Sequence, residues 1–184
     1  MISQEYKTYV LFDRSTGAII GTYVVYDAGT SSYRTPTHEE AWVAFHGLLE
    51  GRTADQIDMM TADLPMGSLW GAYYVDVGHL QLVPQSQLRV QAERVQILGD
   101  GKDAVEITIS AVNEAGNIVE SFDGDLRVRT TRGRLSVLGG RTKANHGQAQ
   151  ITLTSVAETI DRVSITVQDL SERCTQGHLD IEFL

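Results

Sequence analysis

From residue 88 to the C-terminus the chain alternates apolar and polar residues in short runs, and glycine-rich turn signals interrupt them at regular intervals. The runs cover 88–98, 103–112, 116–121, 125–131, 134–138, 148–155, 161–168 and 177–184, and each reads as a strand. The turn signals are Gly99-Asp100-Gly101, residues 114–117, Asp123-Gly124, Arg132-Gly133, Gly139-Gly140 and Asn145-His146-Gly147. So many short strands in so few residues predict two packed antiparallel sheets. Alternation assigns the faces. Val105, Ile107, Ile109 and Ala111 point one way, with Glu106, Thr108 and Ser110 opposite. Ala149, Ile151, Leu153 and Ser155 likewise oppose Gln148, Gln150, Thr152 and Thr154. Each strand is therefore expected to bury one face.

The first 84 residues follow a different pattern. Runs 6–13 (YKTYVLFD) and 18–27 (AIIGTYVVYD) predict a β-hairpin across Arg14–Gly17, and 28–36 reads as a polar loop. Thr37 and Glu40 have the spacing of a capping box. Apolar Ala41, Trp42, Ala44, Phe45, Leu48 and Leu49 follow at helical spacing, which predicts a helix over 38–50 with Gly51 as its stop. Thr53–Gln56 can cap a short second turn. Residues 57–60 read as strand in preference to helix, and 68–77 and 79–83 as strands. Residues 84–87 (PQSQ) read as a linker. The chain is thus expected to be mainly β: a small β-rich α+β domain over 1–84, then a β-sandwich over 88–184.

Three ordered motifs and a closing strand of the second half resemble a known family. Residues 101–117 (GKDAVEITISAVNEAGN) are similar to the second strand and hairpin of bacterial immunoglobulin-like domains of the invasin/intimin type. Residues 130–135 (TTRGRL) and 142–155 (TKANHGQAQITLTS) resemble that family's next two motifs, and 178–183 (HLDIEF) its closing strand. The resemblance implies an immunoglobulin-like sandwich that binds or displays, and that is not an enzyme. Gly116 and Gly147 stand where the hairpins need positive φ. The resemblance does not extend to residues 1–83.

Charge narrows the partners. The net charge is −9. Residues 1–84 hold ten carboxylates against four basic side chains; residues 85–184 hold fourteen against eleven. Such a balance disfavours nucleic acid as a partner. No run approaches the length of a membrane span, so no membrane partner is expected. Residues 1–7 show no basic stretch leading into an apolar run, so no secretory leader is expected. The single cysteine, Cys174, cannot form an intrachain disulfide and reads as a structural bystander.

No motif for chemistry stands out. His38, His46, His79, His146 and His178 form no metal-ligand pattern, and no cofactor or metal is expected. Asp100, Asp103, Asp123 and Asp125 flank turns, where carboxylates serve the backbone more often than calcium. Against the acidic background, Arg127, Arg129, Arg132, Arg134, Arg141 and Lys143 form a basic run. Arg127, Arg129, Arg132 and Arg134 are the expected ligand-binding residues, a docking stripe for an acidic partner or glycan; the alternative is a solvated face paired with Glu106 or Asp125. Eleven of thirteen aromatic side chains lie in the first half. Tyr23, Trp70, Tyr73 and Tyr74 are the expected assembly contacts, since Tyr and Trp anchor interfaces.

An immunoglobulin-like module without a secretory leader suits a bacteriophage virion, which assembles in the cytoplasm. The expected function is therefore that of a non-enzymatic capsid or tail accessory protein displaying its sandwich for adhesion. Its expected partners are other virion proteins, further copies of itself and a host surface glycan. The alternative is an adhesion module of the bacterial cell surface or periplasm.

Overall fold

In the computed structural model, which describes residues 6–49, 51–158 and 160–184, the first aromatic run forms strand β1 (Thr8–Asp13). It is followed by β2 (Ile19–Tyr23), β3 (Val25–Asp27), β4 (Ser32–Arg34), helix α1 (His38–Phe45), β5 (Ile57–Ala62), β6 (Tyr73–Asp76) and β7 (Gln81–Pro84). β1 is the centre of an antiparallel sheet ordered β2-β1-β5. Thr8, Val10, Leu11 and Phe12 are all fully buried. The strand is covered on both faces, which is why its sequence is continuously apolar. Val10 and Phe12 pack with Ala62, Leu69 and Val75. Leu11 packs with Ala41, Phe45 and Ile57.

Local chemistry places these pieces. The Asp13 carboxylate accepts from the Ser15 N–H (2.8 Å), the Ser15 hydroxyl (2.6 Å) and the Thr16 N–H (3.1 Å), closing the first hairpin. Gly17 completes it at φ +75°, and a Cβ there would sit 1.9 Å from the Val75 carbonyl oxygen. That approach lets the Val75 N–H donate to the Gly17 carbonyl at 2.8 Å, seating β6 against the hairpin. The capping box forms as expected. Thr37 Oγ1 accepts from the Glu40 N–H (3.2 Å) and Glu40 Oε2 from the Thr37 N–H (2.7 Å). Arg34 also grips Glu40, and chiefly for that reason the Glu40 carboxyl is held down at about 2.

Several boundaries differ from the sequence expectation. The run 18–27 divides into β2 and β3. The expected loop 28–36 contains β4, which pairs with β3 in a second hairpin. The α-helix ends at Phe45 and tightens into a 3₁₀ turn over His46–Leu48, where Gly47 weakens helical continuation. Residues 66–68 form a 3₁₀ turn begun by Pro65, so β6 starts at Tyr73 and not at 68.

The chain divides into two compact units, residues 1–85 and 86–184. The second unit contains β8 (Ser86–Ala92), β9 (Gln96–Ile97), β10 (Ala104–Val112), β11 (Asp125–Thr130), β12 (Arg134–Leu135), β13 (Arg141–Lys143), β14 (Gln148–Thr154), β15 (Asp161–Asp169), β16 (Cys174–Thr175) and β17 (Gly177–Phe183). The stretch 84–87, expected as linker, is structured: Pro84 ends β7 and Ser86 begins β8. One sheet is ordered β12-β14-β10-β8-β16 and the other β13-β11-β15-β17-β9. All pairings are antiparallel except β16 with β8 and β17 with β9.

The core lies between the two sheets. Leu88, Ile107, Ile109, Ile151 and Leu153 meet Leu126, Val163, Ile165, Ile181 and Phe183. Each such side chain contributes roughly 1.5–3 kcal/mol by leaving water. The expected faces of 105–111 and 149–155 are realised, and Ser155 joins the buried set. The expected strand 88–98 splits, because the chain leaves one sheet after Ala92 and enters the other at Gln96. Arg94, clamped on Asp103 through both terminal guanidinium nitrogens, marks the crossing. Residues 116–121 make a single bridge, Val112 with Ile118, before the chain turns inward to bury Phe122. The run 134–138 is cut after Leu135, and the Gly139-Gly140 turn delivers β13 to the opposite sheet. Gly147, at φ +77°, allows its own close approach to the Val119 carbonyl.

Candidate functional site

On β11 the inward residues are Leu126 and Val128, fully buried. Arg127 and Arg129 therefore point outward together, as the sequence implies. The ladder adds two more cations. Arg127 lies directly opposite Arg141, and Asp125 opposite Lys143, on the neighbouring edge strand β13. One corner of this sheet thus carries Arg127, Arg129, Arg141 and Lys143 beside the Asp125 carboxylate. None of the four forms an ion pair within the set of described residues. The rows beyond are polar: Gln168 and Thr166 on β15 flank Arg127 and Arg129.

The other two arginines of the expected stripe do not join this corner. Arg132 turns to Asp161, with Nε 3.3 Å from the carboxylate. Arg134 stands on β12 in the opposite sheet and donates to the Gly101 carbonyl at 3.2 Å. Glu106 also belongs to that opposite sheet, on β10, so it cannot neutralise Arg127 or Arg129. The sequence separated these residues by a few positions, but the Arg132-Gly133 turn sends the chain across the sandwich between them.

The four aromatic side chains expected at an assembly contact have different surroundings. Tyr23 is half-buried and meets Phe45 edge-on at 6.2 Å. Tyr73 is half-buried against the Val10 and Phe12 cluster. Tyr74 is half-buried as well. Trp70 is 56% exposed. A different aromatic group stands at the surface: Tyr33 lies 5.4 Å from Tyr6 and 5.3 Å from Tyr26, ring centre to ring centre. Tyr26 and Tyr33 are cross-strand partners in the β3–β4 hairpin. Reading 28–36 as a loop hid that pairing; alternation around the turn at 28–31 was the signal for it.

The turn carboxylates are committed to the backbone. Asp100 accepts from the N–H groups of Lys102 (2.8 Å) and Asp103 (2.7 Å), and Asp103 from those of Leu98 (2.8 Å) and Ala104 (2.9 Å). The Arg94 guanidinium first, and the N–H donors after it, hold the Asp103 carboxyl below its usual range, and the N–H groups of Asp103 and Lys102 do so for Asp100. Asp123 accepts from the His146 N–H at 2.9 Å. No group of three His, Cys, Asp or Glu side chains suited to a metal occurs among the described residues. Nor is any described helix long and apolar enough to cross a membrane.

Sequence reading passed over Asp169. It occupies an inward position at the end of β15 and is 1% exposed. Its carboxylate accepts from the Ser171 N–H (2.9 Å) and hydroxyl (2.7 Å) and from the N–H groups of Arg173 (2.8 Å) and Cys174 (3.1 Å). Beside it, burial first and the Asp169 charge second push the Cys174 thiol up to about 12. Only the thiolate is a good nucleophile. Cys174 is therefore expected to resist maleimide at pH values near 8 in the native protein and to react at once in concentrated urea. Mass spectrometry of the two reactions checks this; fast native labelling would show the thiol to be accessible.

This geometry defines an immunoglobulin-like β-sandwich accompanied by a smaller α+β unit. No family model matches the chain, and no curated protein matches it. Solved structures do. A C-terminal 282-residue fragment of intimin, in complex with the intimin-binding domain of its translocated receptor Tir, is 20% identical over 51% of this chain and 31% of its own, with a TM-score of 0.41. The D0–D1 domain of intimin is 12% identical over 100% of this chain and 84% of its own, at 0.43. A glycosyl hydrolase family 2 member from Bacteroides cellulosilyticus is 12% identical over 98% of this chain and 25% of its own, at 0.48. The chain spans less than a third of the intimin fragment and of the hydrolase.

Proposed function

We propose that the chain is a non-catalytic binding module whose sandwich presents the basic corner of β11 and β13 to a polyanionic partner. The observation that carries this reading is the pairing of Arg127 with Arg141. Like charges directly opposite on a sheet are destabilising. A fold that keeps such a pair, with Arg129 and Lys143 beside it and no ion pair to any of them among the described residues, gives up stability for a surface that suits an acidic ligand. The net charge of −9 makes the corner an exception within the chain, not a reflection of its composition.

The setting we favour is the one expected from the sequence, a bacteriophage particle bearing the protein as a capsid or tail accessory; the alternative is the bacterial cell surface. Either would present many copies, so that individually modest contacts add through avidity. The resemblance of residues 101–117, 130–135 and 142–155 to domains of the invasin/intimin type supports an adhesive role. Retention on immobilised heparin, used as a polyanion, tests the corner. The native chain is expected to elute at higher salt than a variant carrying Arg127→Ala and Arg129→Ala, since exposed charges are screened. Equal elution would remove the corner from the mechanism. Sedimentation of native protein tests the setting: co-migration with particles supports the virion, and recovery with the cell envelope supports the surface.

A further inference from the structure

The sheet on the opposite side of the sandwich has a second, chemically distinct surface. The alternation that buries Leu88, Val90, Ile107, Ile109, Ala149 and Ile151 turns their neighbours outward. The ladder arranges those neighbours in two rows across β8, β10 and β14. Arg89, Ser110 and Gln148 stand side by side, as do Gln91, Thr108 and Gln150. Three adjacent strands make each row about 10 Å long. Gly116 and Ile118 stand along one side, and over Arg89, Gln91, Thr108, Ser110 and Gln148 the face becomes a groove of about 530 Å³, with Gln150 in an adjoining depression. That is the size of a small-ligand site.

The lining has a consistent chemistry. Amides and hydroxyls both donate and accept, as sugar hydroxyls do. Ser110 is 7% exposed and accepts from Gln148 Nε2 at 3.2 Å, which fixes the floor. Arg89 is exposed and has no ion pair among the described residues. Its guanidinium is suited to a bidentate grip on a carboxylate. Neither row contains a carboxylate, and the groove's one lining carboxylate, Glu93, belongs to neither. Ile118, 43% exposed, gives the rim an apolar surface for the C–H face of a sugar ring. A peptide strand cannot add here, because β10 is paired on both sides and offers no open edge.

We propose that this groove binds an acidic oligosaccharide, with a sugar carboxylate on Arg89 and the adjoining hydroxyls on the two rows of amide and hydroxyl side chains. The carboxylate can come from a uronic acid or from a sialic acid. The site is independent of the basic corner, which lies on the other sheet.

Nitrogen-15 NMR titration of the full chain tests the proposal, with trigalacturonate, sialyllactose and the neutral maltotriose as probes at millimolar concentration. One acidic probe is expected to shift the amides of residues 89–91, 108–110 and 148–150, and which one does so identifies the source. Arg89→Gln is expected to weaken that binding about tenfold, the loss of one charge-assisted bidentate contact. Gln148→Ala is expected to weaken it less, and the variant carrying Arg127→Ala and Arg129→Ala not at all. Failure of both acidic probes to bind would overturn the proposal, as would equal binding of maltotriose. Shifts that disappear only in the Arg127 and Arg129 variant would assign the glycan to the basic corner instead.

Discussion

Replacing Asp169 by alanine is expected to cost the sandwich about 3–5 kcal/mol, among the largest effects of any polar substitution in the chain. The residue continues the inward series Val163, Ile165 and Val167, so its carboxylate enters the core where an apolar side chain would be usual. It is tolerated there because four donors converge on it. Those bonds shape the 169–174 turn that takes the chain from β15 to β16 in the other sheet. Alanine leaves the Arg173 and Cys174 N–H groups without acceptors, and the Cys174 bond is buried. Asparagine keeps one oxygen but aims an amide NH₂ at either the Ser171 or the Arg173 and Cys174 donors, so roughly half the loss is expected. The two tryptophans, Trp42 and Trp70, both lie in residues 1–85. Tryptophan fluorescence therefore reports that unit alone, while far-UV circular dichroism reports both, so the sandwich transition is the part of the circular-dichroism change that fluorescence does not follow. With a urea dependence of about 1–3 kcal/mol per molar, the sandwich midpoint is expected to fall by about 2 M in Asp169→Ala. An unchanged midpoint would show that the four bonds contribute nothing net.

The outline of both units was legible in the sequence, and the reasons are local. Alternation fixed which residues of β10 and β14 enter the core, because a strand has only two faces. The Thr37 and Glu40 spacing marked the start of α1, because a capping box is a four-residue event. What could not be read was where a strand changes sheet. Residues 88–98 read as a single strand, yet the chain crosses the sandwich between Ala92 and Gln96, a step set by β17 and by the Arg94–Asp103 clamp, both distant in sequence or dependent on the folded turn. The same limit scattered the expected arginine stripe. Arg129 and Arg134 are five positions apart but lie on different sheets, whereas Arg127 and Arg141 are distant in sequence and directly opposed. Asp169 was missed for a related reason: an aspartate at a strand end reads as a turn residue until its depth is known.

The unit over residues 1–85 depends on Phe12 to a comparable degree, and its replacement by alanine is expected to remove a large share of that unit's stability. Phe12 is fully buried in β1 and packs with Leu69 and Val75 on the sheet face away from α1. Phenylalanine-to-alanine changes in cores cost about 3–5 kcal/mol, transfer and cavity together. A unit of this length holds about 4–13 kcal/mol in total, so the loss takes a large share of it. Leucine fills more of the space and should cost about 1.5 kcal/mol. The fluorescence transition is therefore expected to move far to lower urea in Phe12→Ala and modestly in Phe12→Leu, while the circular-dichroism transition of the sandwich stays in place. The reasoning depends on β1 being covered on both faces. If Phe12→Ala costs no more than a surface change, about 0.5 kcal/mol, the cluster around Leu69 and Val75 does not close over the sheet, and the continuous apolar run of β1 needs another cause. If both transitions move together, the two units share stability, and each must be analysed as part of a single cooperative fold.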